Sequence, residues 1–535
     1  MPPTGNAAAL RTEIHAALTA FTDTTLQKAS TDLLNALGYA SEKTADLGTS
    51  AESLLGNIEQ FKPELGLINR DKVKASRWQS CAFLFQLTND EIPSLAVGQS
   101  PLGADNKLAR GQIESFVFLA IELQGDNWSR TDIAIITREL NRRFPMPAIV
   151  IFKHGDLISL VVIDRRANLK DAAKDVIDSR ITVIKDVRVA NPHRAHLDIL
   201  AGLALENLGE KRRPTNFREM YDAWIVALST QALNKRFYQE LANWYFWALT
   251  QAQFPKDAPK DADGRDSLSL IRLITRIIFC WFLKEKGLLP NALFDLRIAT
   301  LLGDYKPSES TYYKAILQNL FFATLNQEMD KREFRKAGQN FMAHNLYRYR
   351  SLMKNPDEVL KLLAGIPFMN GGLFECLDKT LGTRERPTYV RIDGFSDRDD
   401  NPLKIPNELF FGEERIVDLS DAYGDNKFKS AKVTGLIHIL DRYKFTVAEN
   451  TPIEEEVALD PELLGKAFEN LLAAYNPETG ATARKQTGSF YTPREIVNYM
   501  VDESLIASLK TKLEAACHIS APSPLAGEGL GERGV

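Results

Sequence analysis

The segment Gly488-Ser489-Phe490-Tyr491-Thr492-Pro493 combines residue types that can form the wall of a small-ligand pocket. Small residues let a ligand approach the backbone, and two adjacent aromatic rings offer stacking surfaces. Thr492 is a good helix N-cap, Pro493 suits the first helical position, and Glu495 completes a capping box. A helix N-terminus favours a negative charge, and the two rings favour an aromatic partner. The predicted ligand therefore carries a carboxylate and an aromatic base. The alternative is an ordinary loop that enters a helix.

A helix is predicted to begin at Pro493. Apolar residues recur at every fourth position of this helix, which indicates one apolar stripe that faces a core. The residues of the stripe are Val497, Val501, Leu505, Leu509 and Leu513. A second helix start lies upstream, where Asp460 is the cap and Pro461 follows it.

These two helix starts, joined by a polar linker, resemble the entry into the catalytic domain of adenine-specific DNA methyltransferases of Type IIG and related restriction-modification and phage-defence systems. Earlier segments resemble successive landmarks of the helical region that precedes this domain, and the resemblance covers most of the chain from about residue 191. The landmarks are Leu233 to Tyr238, Leu270 to Gly287 and Ile366 to Phe374.

The resemblance implies methyl transfer from S-adenosylmethionine to the adenine amino group of double-stranded DNA, with the target base swung out of the duplex. It also implies which residues form part of the pocket for the cofactor. These are Gly488, Phe490, Tyr491, Thr492 and Pro493. No catalytic residue is predicted, because none of the four Asn-Pro pairs is followed by a second proline as the family's catalytic loop requires.

The glycine-rich cofactor loop is not predicted either. Gly529, Gly531 and Gly534 have the spacing of such a loop, but no predicted strand precedes them and no helix can follow them. We therefore expect a reading frame that was interrupted after the helix at Pro493, with a disordered tail over residues 520–535. The chain alone is expected to be inactive unless a second polypeptide supplies the rest. The alternative is a non-catalytic DNA-binding or interaction subunit of such a system.

Residues 331–354 form the strongest basic and aromatic segment, with seven basic residues against the single acid Glu333. Aromatic residues lie between these charges, as in surfaces that contact nucleic acid. The predicted DNA-binding residues are Lys331, Arg332, Arg335, Lys336, Arg348 and Arg350. A solvated helix face with aromatic residues packed beneath it is an equally good interpretation.

Two further segments contain residue types that occur in metal sites. A metal-dependent nuclease of the Asp…Glu-x-Lys type would need a lysine two residues after Glu122, where this sequence has Gln124. The candidates for the upstream acid of the pattern are Asp90 and Glu91. A sheet domain with polar strand ends is the favoured interpretation there. His193 and His196 could share a helix face, but two histidines without a third ligand do not predict a metal site.

Composition sets the wider limits. A chain of 535 residues predicts about three domains, and a net charge of −4 requires any DNA contact to come from local patches. Four cysteines without a Cys-x-x-Cys pair favour a reducing compartment and argue against a zinc cluster. Neither a signal peptide nor a membrane span is predicted, so the expected location is the cytoplasm.

The predicted fold class is α+β. Residues 1–190 are expected to form a mixed α/β domain, 191–476 a helical spacer, 477–519 the start of a Rossmann-like methyltransferase domain and 520–535 the tail. The predicted strands are Phe83 to Leu87, Phe116 to Leu123, Ala148 to Phe152 and Leu157 to Ile163, the last two joined as a hairpin. The predicted helices of this domain are Leu10 to Leu37 and Ser129 to Phe144.

Overall fold

The computed structural model describes most of the chain, which divides into two compact units over residues 1–468 and 469–535. The described residues are 6–92, 115–144, 146–163, 180–208, 214, 216–257, 265–336, 344–369, 371–383, 385–392, 401–446, 450–451, 454–459 and 494–520. The element starting at Asp460 and the segment Gly488 to Pro493 lie outside them.

A six-stranded mixed sheet forms the centre of the first unit. Its strands, in spatial order, are β1 (Trp78–Thr88), β2 (Ser115–Leu123), β3 (Ala148–His154), β4 (Leu157–Ile163), β5 (Ile181–Arg188) and a short strand, Glu454–Glu456. Strands β2 and β3 run parallel, as do β5 and the short strand, and the other neighbours are antiparallel.

The four strands predicted from the apolar runs are confirmed. The hairpin between β3 and β4 is also confirmed, with Gly155 in the left-handed region at φ 58° in its two-residue turn. Strand β5 was missed, although Ile181, Val183 and Val187 are buried.

The α-helices that flank this sheet fall mostly in the first half of the chain. They are α1 (Asn6–Thr19), α2 (Leu26–Ala36), α3 (Ala51–Glu59), α4 (Arg130–Asn141), α5 (Arg194–Leu203) and α6 (Phe217–Ala227). The prediction of one helix from Leu10 to Leu37 is wrong, because the helix is interrupted between the end of α1 and the start of α2. Hydroxyls of Thr22 and Thr24 bond to preceding carbonyls there, and Thr25 caps α2.

Both faces of the sheet are buried, which explains the nearly continuous apolar strands. Val117 and Leu119 belong to a core that also holds residues of α3 and α4. Phe116 and Phe118 are also buried, and their rings contact a different set of residues. Phe116 lies 4.9 Å from the Trp224 ring of α6, and Phe118 lies 6.2 Å from Tyr39.

The middle of the chain contains two long helices and several short ones, together with two small hairpins that were not predicted. The helices are α7 (Thr230–Gln251), α8 (Arg265–Glu285), α9 (Pro356–Ala364), α10 (Glu408–Phe411), α11 (Ser420–Tyr423) and α12 (Leu436–Asp441). The hairpins pair β6 (Lys379–Thr383) with β7 (Arg386–Val390) and β8 (Arg415–Val417) with β9 (Ala431–Val433). The α+β class is confirmed.

The short strand, β10 (Glu454–Glu456), lies inside the predicted helical spacer yet extends the N-terminal sheet beside β5. The Glu454 side chain is 8% exposed and lies 3.0 Å from Arg138 and 3.7 Å from Arg130 of α4. Distant parts of the chain thus share one sheet. The domain boundaries drawn from the sequence stay a prediction.

The described part of the second unit is helix α13 (Arg494–Ser520). Within the described part of the chain, Val497, Leu505 and Leu513 of the helix's apolar stripe are 42%, 57% and 64% exposed. Among the described residues, the structure contains no helix of the length and apolar character that a membrane span requires.

Candidate nucleic-acid interface

The basic and aromatic segment follows two π-helical turns, Tyr313–Gln318 and Phe321–Leu325. π-helical turns are rare and often lie at functional sites. After them the chain forms two extended stretches that pair side by side. Arg335 N–H donates to the Tyr347 carbonyl at 3.0 Å, and Tyr347 N–H donates to the Glu333 carbonyl at 2.9 Å. This pairing places Phe334 beside Tyr347.

Two buried polar side chains, Asn319 between the π-helical turns and Thr324 in the second turn, fix the second stretch. The Asn319 side chain donates to the Arg348 carbonyl at 2.9 Å and accepts from the Arg348 N–H at 2.8 Å. The Thr324 hydroxyl lies 3.3 Å from the Tyr347 hydroxyl. These bonds hold the backbone at Tyr347 and Arg348 in one conformation, so the neighbouring side chains project from a rigid base.

The two stretches enclose a surface pocket of about 220 Å³, which we call the arginine-aromatic pocket. It is lined by Phe334, Arg335, Tyr347, Arg348, Tyr349 and Arg350. The exposed Arg350 guanidinium lies 5.3 Å from the centre of the Phe334 ring. Arg348 and Tyr347 are buried at 4% and 3% exposure, so the accessible groups are the guanidinium groups of Arg335 and Arg350 with the neighbouring rings. Such a surface can bind phosphate and stack on a base.

The structure distributes the six predicted DNA-binding residues over different environments. Arg335, Arg348 and Arg350 line the pocket. Lys331 pairs with Glu328, and Lys336 lies 3.8 Å from Glu333, so a nearby acid offsets each lysine. These pairs reduce the net positive charge of the segment that the sequence indicated.

Arg332 has a different role, because its guanidinium is bound to the protein backbone. It donates to the carbonyls of Gln327 at 3.1 Å, Leu363 at 3.2 Å and Thr324 at 2.8 Å. Burial lowers the pKa of this guanidinium. The geometry favours a structural role for Arg332, in which it ties the π-helical turn to the end of α9.

The nuclease candidate on the sheet lacks the predicted arrangement of acids. Glu122 accepts from Lys153 at 2.7 Å and from Ser80 at 2.9 Å. The strand register pairs Glu122 with Ser80, whereas Asp90 follows the other end of β1. Eight residues of strand separate Ser80 from Thr88, which is about 26 Å. Asp90 and Glu91 therefore do not join Glu122, and both pair with Lys43 instead.

His193 and His196 lie at the start of α5 with ring centres 5.5 Å apart. His193 binds the Asp441 carbonyl through Nδ1 at 2.8 Å, and His196 is fully buried. Burial lowers the pKa of both imidazoles. Among the described residues, the structure supplies no third metal ligand beside this pair. The geometry is that of a buried helix start.

Sequence reasoning missed the residues that hold the pocket, namely Asn319 and Thr324. Both are polar positions in a largely apolar helical run, and no local pattern distinguishes them from other buried polar residues. It also missed a cluster of His344, Cys376 and Asp378, whose ligand atoms lie within 4.8 Å of one another. The sequence separates these residues by up to 34 positions, which conceals the cluster.

The chain matches no family model, and no solved structure matches it. Over 253 residues it is 28% identical to a protein of Methanocaldococcus jannaschii that is named "putative type II restriction enzyme and methyltransferase". The match covers 46% of this chain and 15% of the relative. The chain thus spans a small part of that relative's length, and the similarity supports a general link to restriction-modification methyltransferases.

Proposed function

We propose that this chain is part of a site-specific, adenine-specific DNA methyltransferase of a restriction-modification system. The observation that carries the proposal is the similarity over 253 residues to the Methanocaldococcus jannaschii protein, whose name combines restriction enzyme and methyltransferase. The order of the sequence landmarks from Leu233 to Pro493 supports the adenine-specific class. Methyltransferases of this kind take their methyl group from S-adenosylmethionine.

The cofactor contact is proposed for the segment Gly488 to Pro493. Phe490 and Tyr491 supply rings on which an adenine can stack. Thr492 and Pro493 are predicted from the sequence to start a helix, and a helix N-terminus favours a carboxylate. S-adenosylmethionine carries both groups. Directly after this segment the structure describes helix α13 from Arg494 onward.

The arginine-aromatic pocket is proposed as a contact to double-stranded DNA. Arg335 and Arg350 offer bidentate donors for phosphate, which Lys331 and Lys336 beside their acids supply less well. Its rings at Phe334, Tyr347 and Tyr349 lie beside these donors. The pocket lies in a chain with a net charge of −4, so the proposed DNA contact is local and does not come from the overall charge.

A second candidate is a non-catalytic DNA-binding subunit that docks to a separate methyltransferase polypeptide. The exposed apolar stripe of α13 favours it, because such a stripe is ordinarily covered by another apolar surface. In this case the chain would bind DNA and a second polypeptide but not the methyl donor. Measurement of cofactor binding separates the two candidates.

The test is calorimetric titration of the purified chain with S-adenosylmethionine, with ATP as a control ligand that shares the adenine and ribose. The methyltransferase proposal predicts binding of S-adenosylmethionine and at least tenfold weaker binding by a Phe490→Ala, Tyr491→Ala double variant. A Tyr499→Ala variant, which changes an exposed ring on α13, is expected to bind normally. Absence of binding to the wild-type chain, together with stable co-purification of a methyltransferase polypeptide, would favour the second candidate.

A further inference from the structure

Three side chains of different metal-ligand types meet at one place in the middle of the chain. The ligand atoms of His344, Cys376 and Asp378 all lie within 4.8 Å of one another. Cys376 and Asp378 are buried at 9% and 7% exposure, whereas His344 is partly exposed. An imidazole nitrogen, a thiol sulfur and a carboxylate oxygen therefore converge from two separate segments.

The segment that carries Cys376 and Asp378 is held by the buried Arg276 of α8. The Arg276 guanidinium donates to the Leu373 carbonyl at 2.8 Å and to the Glu375 carbonyl at 3.0 Å. Residues two apart in an extended chain project to the same side, so Cys376 and Asp378 can serve one site. The site is therefore rigid on the side that supplies two of its ligands.

Neighbouring contacts orient the other groups. The Ile392 N–H donates to Asp378 Oδ1 at 2.5 Å, which fixes this carboxylate as outer contacts fix the ligands of metal sites. Beside His344, the Asn345 side chain donates to Gln327 Oε1 at 3.0 Å. Both halves of the cluster are thus anchored to the surrounding protein independently of each other.

We propose that His344, Cys376 and Asp378 bind a zinc ion. Thiolate, imidazole and carboxylate are the three ligand types that zinc accepts, whereas magnesium and calcium prefer oxygen alone. Zinc bonds of about 2.0–2.3 Å in a tetrahedron place ligand atoms roughly 3.5 Å apart, so small side-chain rotations close the cluster. A water molecule takes the fourth position, on the side of the partly exposed His344. Binding displaces the thiol proton of Cys376 to solvent.

The zinc ion would connect two parts of the fold. His344 lies three residues before Tyr347 and four before Arg348 of the arginine-aromatic pocket. Cys376 and Asp378 lie just before β6, on the segment bound to α8. The metal therefore has a structural role, since it ties the pocket-bearing stretch to the helical core. This inference does not depend on methyltransferase function.

The test uses the full chain, purified without chelator and dialysed. We expect about one zinc per chain by elemental analysis, and a tetrahedral cobalt spectrum with a sulfur-to-cobalt charge-transfer band after replacement of zinc by cobalt. Asp378→Asn keeps the side-chain shape and is expected to weaken zinc binding at least tenfold. Cys376→Ser is expected to abolish the charge-transfer band.

The matched control is Cys81→Ser, which changes a buried thiol whose pKa is raised to about 12 by burial. This variant should keep the zinc and the cobalt band. Chelation should lower the Tm of the wild type but leave that of Asp378→Asn nearly unchanged. This comparison is valid even if the variant is less stable, because each protein is compared with itself before and after chelation. The proposal is wrong if the wild type binds neither metal, or if Asp378→Asn and Cys376→Ser both keep wild-type zinc and the cobalt band.

Discussion

The Arg350 guanidinium lies over the Phe334 ring at 5.3 Å from its centre, and both residues border the arginine-aromatic pocket. A ring beneath a guanidinium orients the charge. Unlike an acid, the ring does not offset that charge. Arg350 pairs with no acid among the residues that the structure describes, whereas Lys331 pairs with Glu328. The pair of Arg350 and Phe334 is the most specific feature of the proposed DNA contact.

Phe334→Leu is predicted to weaken DNA affinity severalfold, because Arg350 loses the ring that orients it. The salt dependence of binding should stay the same, since the number of charges is unchanged. Fluorescence anisotropy with labelled duplex measures both quantities. The control is Phe428→Leu, which removes a ring 5.0 Å from the Lys427 ammonium outside the pocket. Equal loss of affinity in both variants would contradict the role of Phe334.

Arg332→Ala is predicted to destabilise the chain by roughly 2 kcal/mol or more, because three backbone carbonyls lose a charged donor. Chemical denaturation measures this change. Arg335→Ala, at a pocket-lining position nearby, should change stability much less. An Arg332→Ala variant of normal stability and reduced DNA affinity would show that the structural role assigned to this residue is wrong.

Stability is predicted to fall on acidification below about pH 6.5, and His196 should account for part of the fall. Burial is the main cause that holds the His196 pKa well below its ordinary value of 6.5. Under mildly acidic conditions the unfolded chain therefore binds a proton that the folded chain does not. The contribution is fully present above pH 6.5 and is lost as the pH falls toward the folded pKa.

His196→Leu is accordingly expected to show a smaller drop in Tm between pH 7.5 and 5.5 than the wild type. Neither ring nitrogen of His196 has a hydrogen-bond partner among the described residues, so leucine leaves no donor unpaired there. His193 and His154 also have a lowered pKa because of burial, and some acid sensitivity should remain. An identical drop in wild type and variant would refute this assignment.

Glu454→Ala is predicted to cost about 3 kcal/mol of stability, because it leaves Arg130 and Arg138 without the acid between them. The loss should also make the chain near β10 more sensitive to limited proteolysis. Asp425→Ala, which removes one partner of an exposed ion pair with Lys427, is expected to change little. Unchanged stability of Glu454→Ala would mean that β10 adds little to the N-terminal sheet.

Much of the sheet could be predicted because its strands are long and apolar. The runs at Phe116 to Leu123 and Leu157 to Ile163 indicate buried strands whatever their partners are. Strand β10 could not be predicted, since three glutamates carry no strand pattern and pair with β5 only through the tertiary fold. The break before α2 depends on threonine hydroxyls that compete for the backbone, an effect weaker than the apolar periodicity around it.

The candidate site was predictable in place but not in detail. Charge and aromatic composition indicated residues 331–354, and the pocket lies there. The sequence does not distinguish Arg332 from Arg350. Arg332 binds backbone carbonyls and Arg350 lies over a ring, and only the folded chain brings these partners to the two arginines. The cluster of His344, Cys376 and Asp378 was concealed for the same reason, as its ligands follow no local spacing.

The most direct test of the proposed DNA contact is the salt dependence of duplex binding by the wild type and an Arg335→Ala, Arg350→Ala double variant. If each arginine contacts one phosphate, the slope of log affinity against log salt should decrease in magnitude by about 1.8. Arg297→Ala, which removes an arginine that is 80% exposed and pairs with Asp295, should keep the wild-type slope. Equal slopes for the wild type and the double variant would contradict the account.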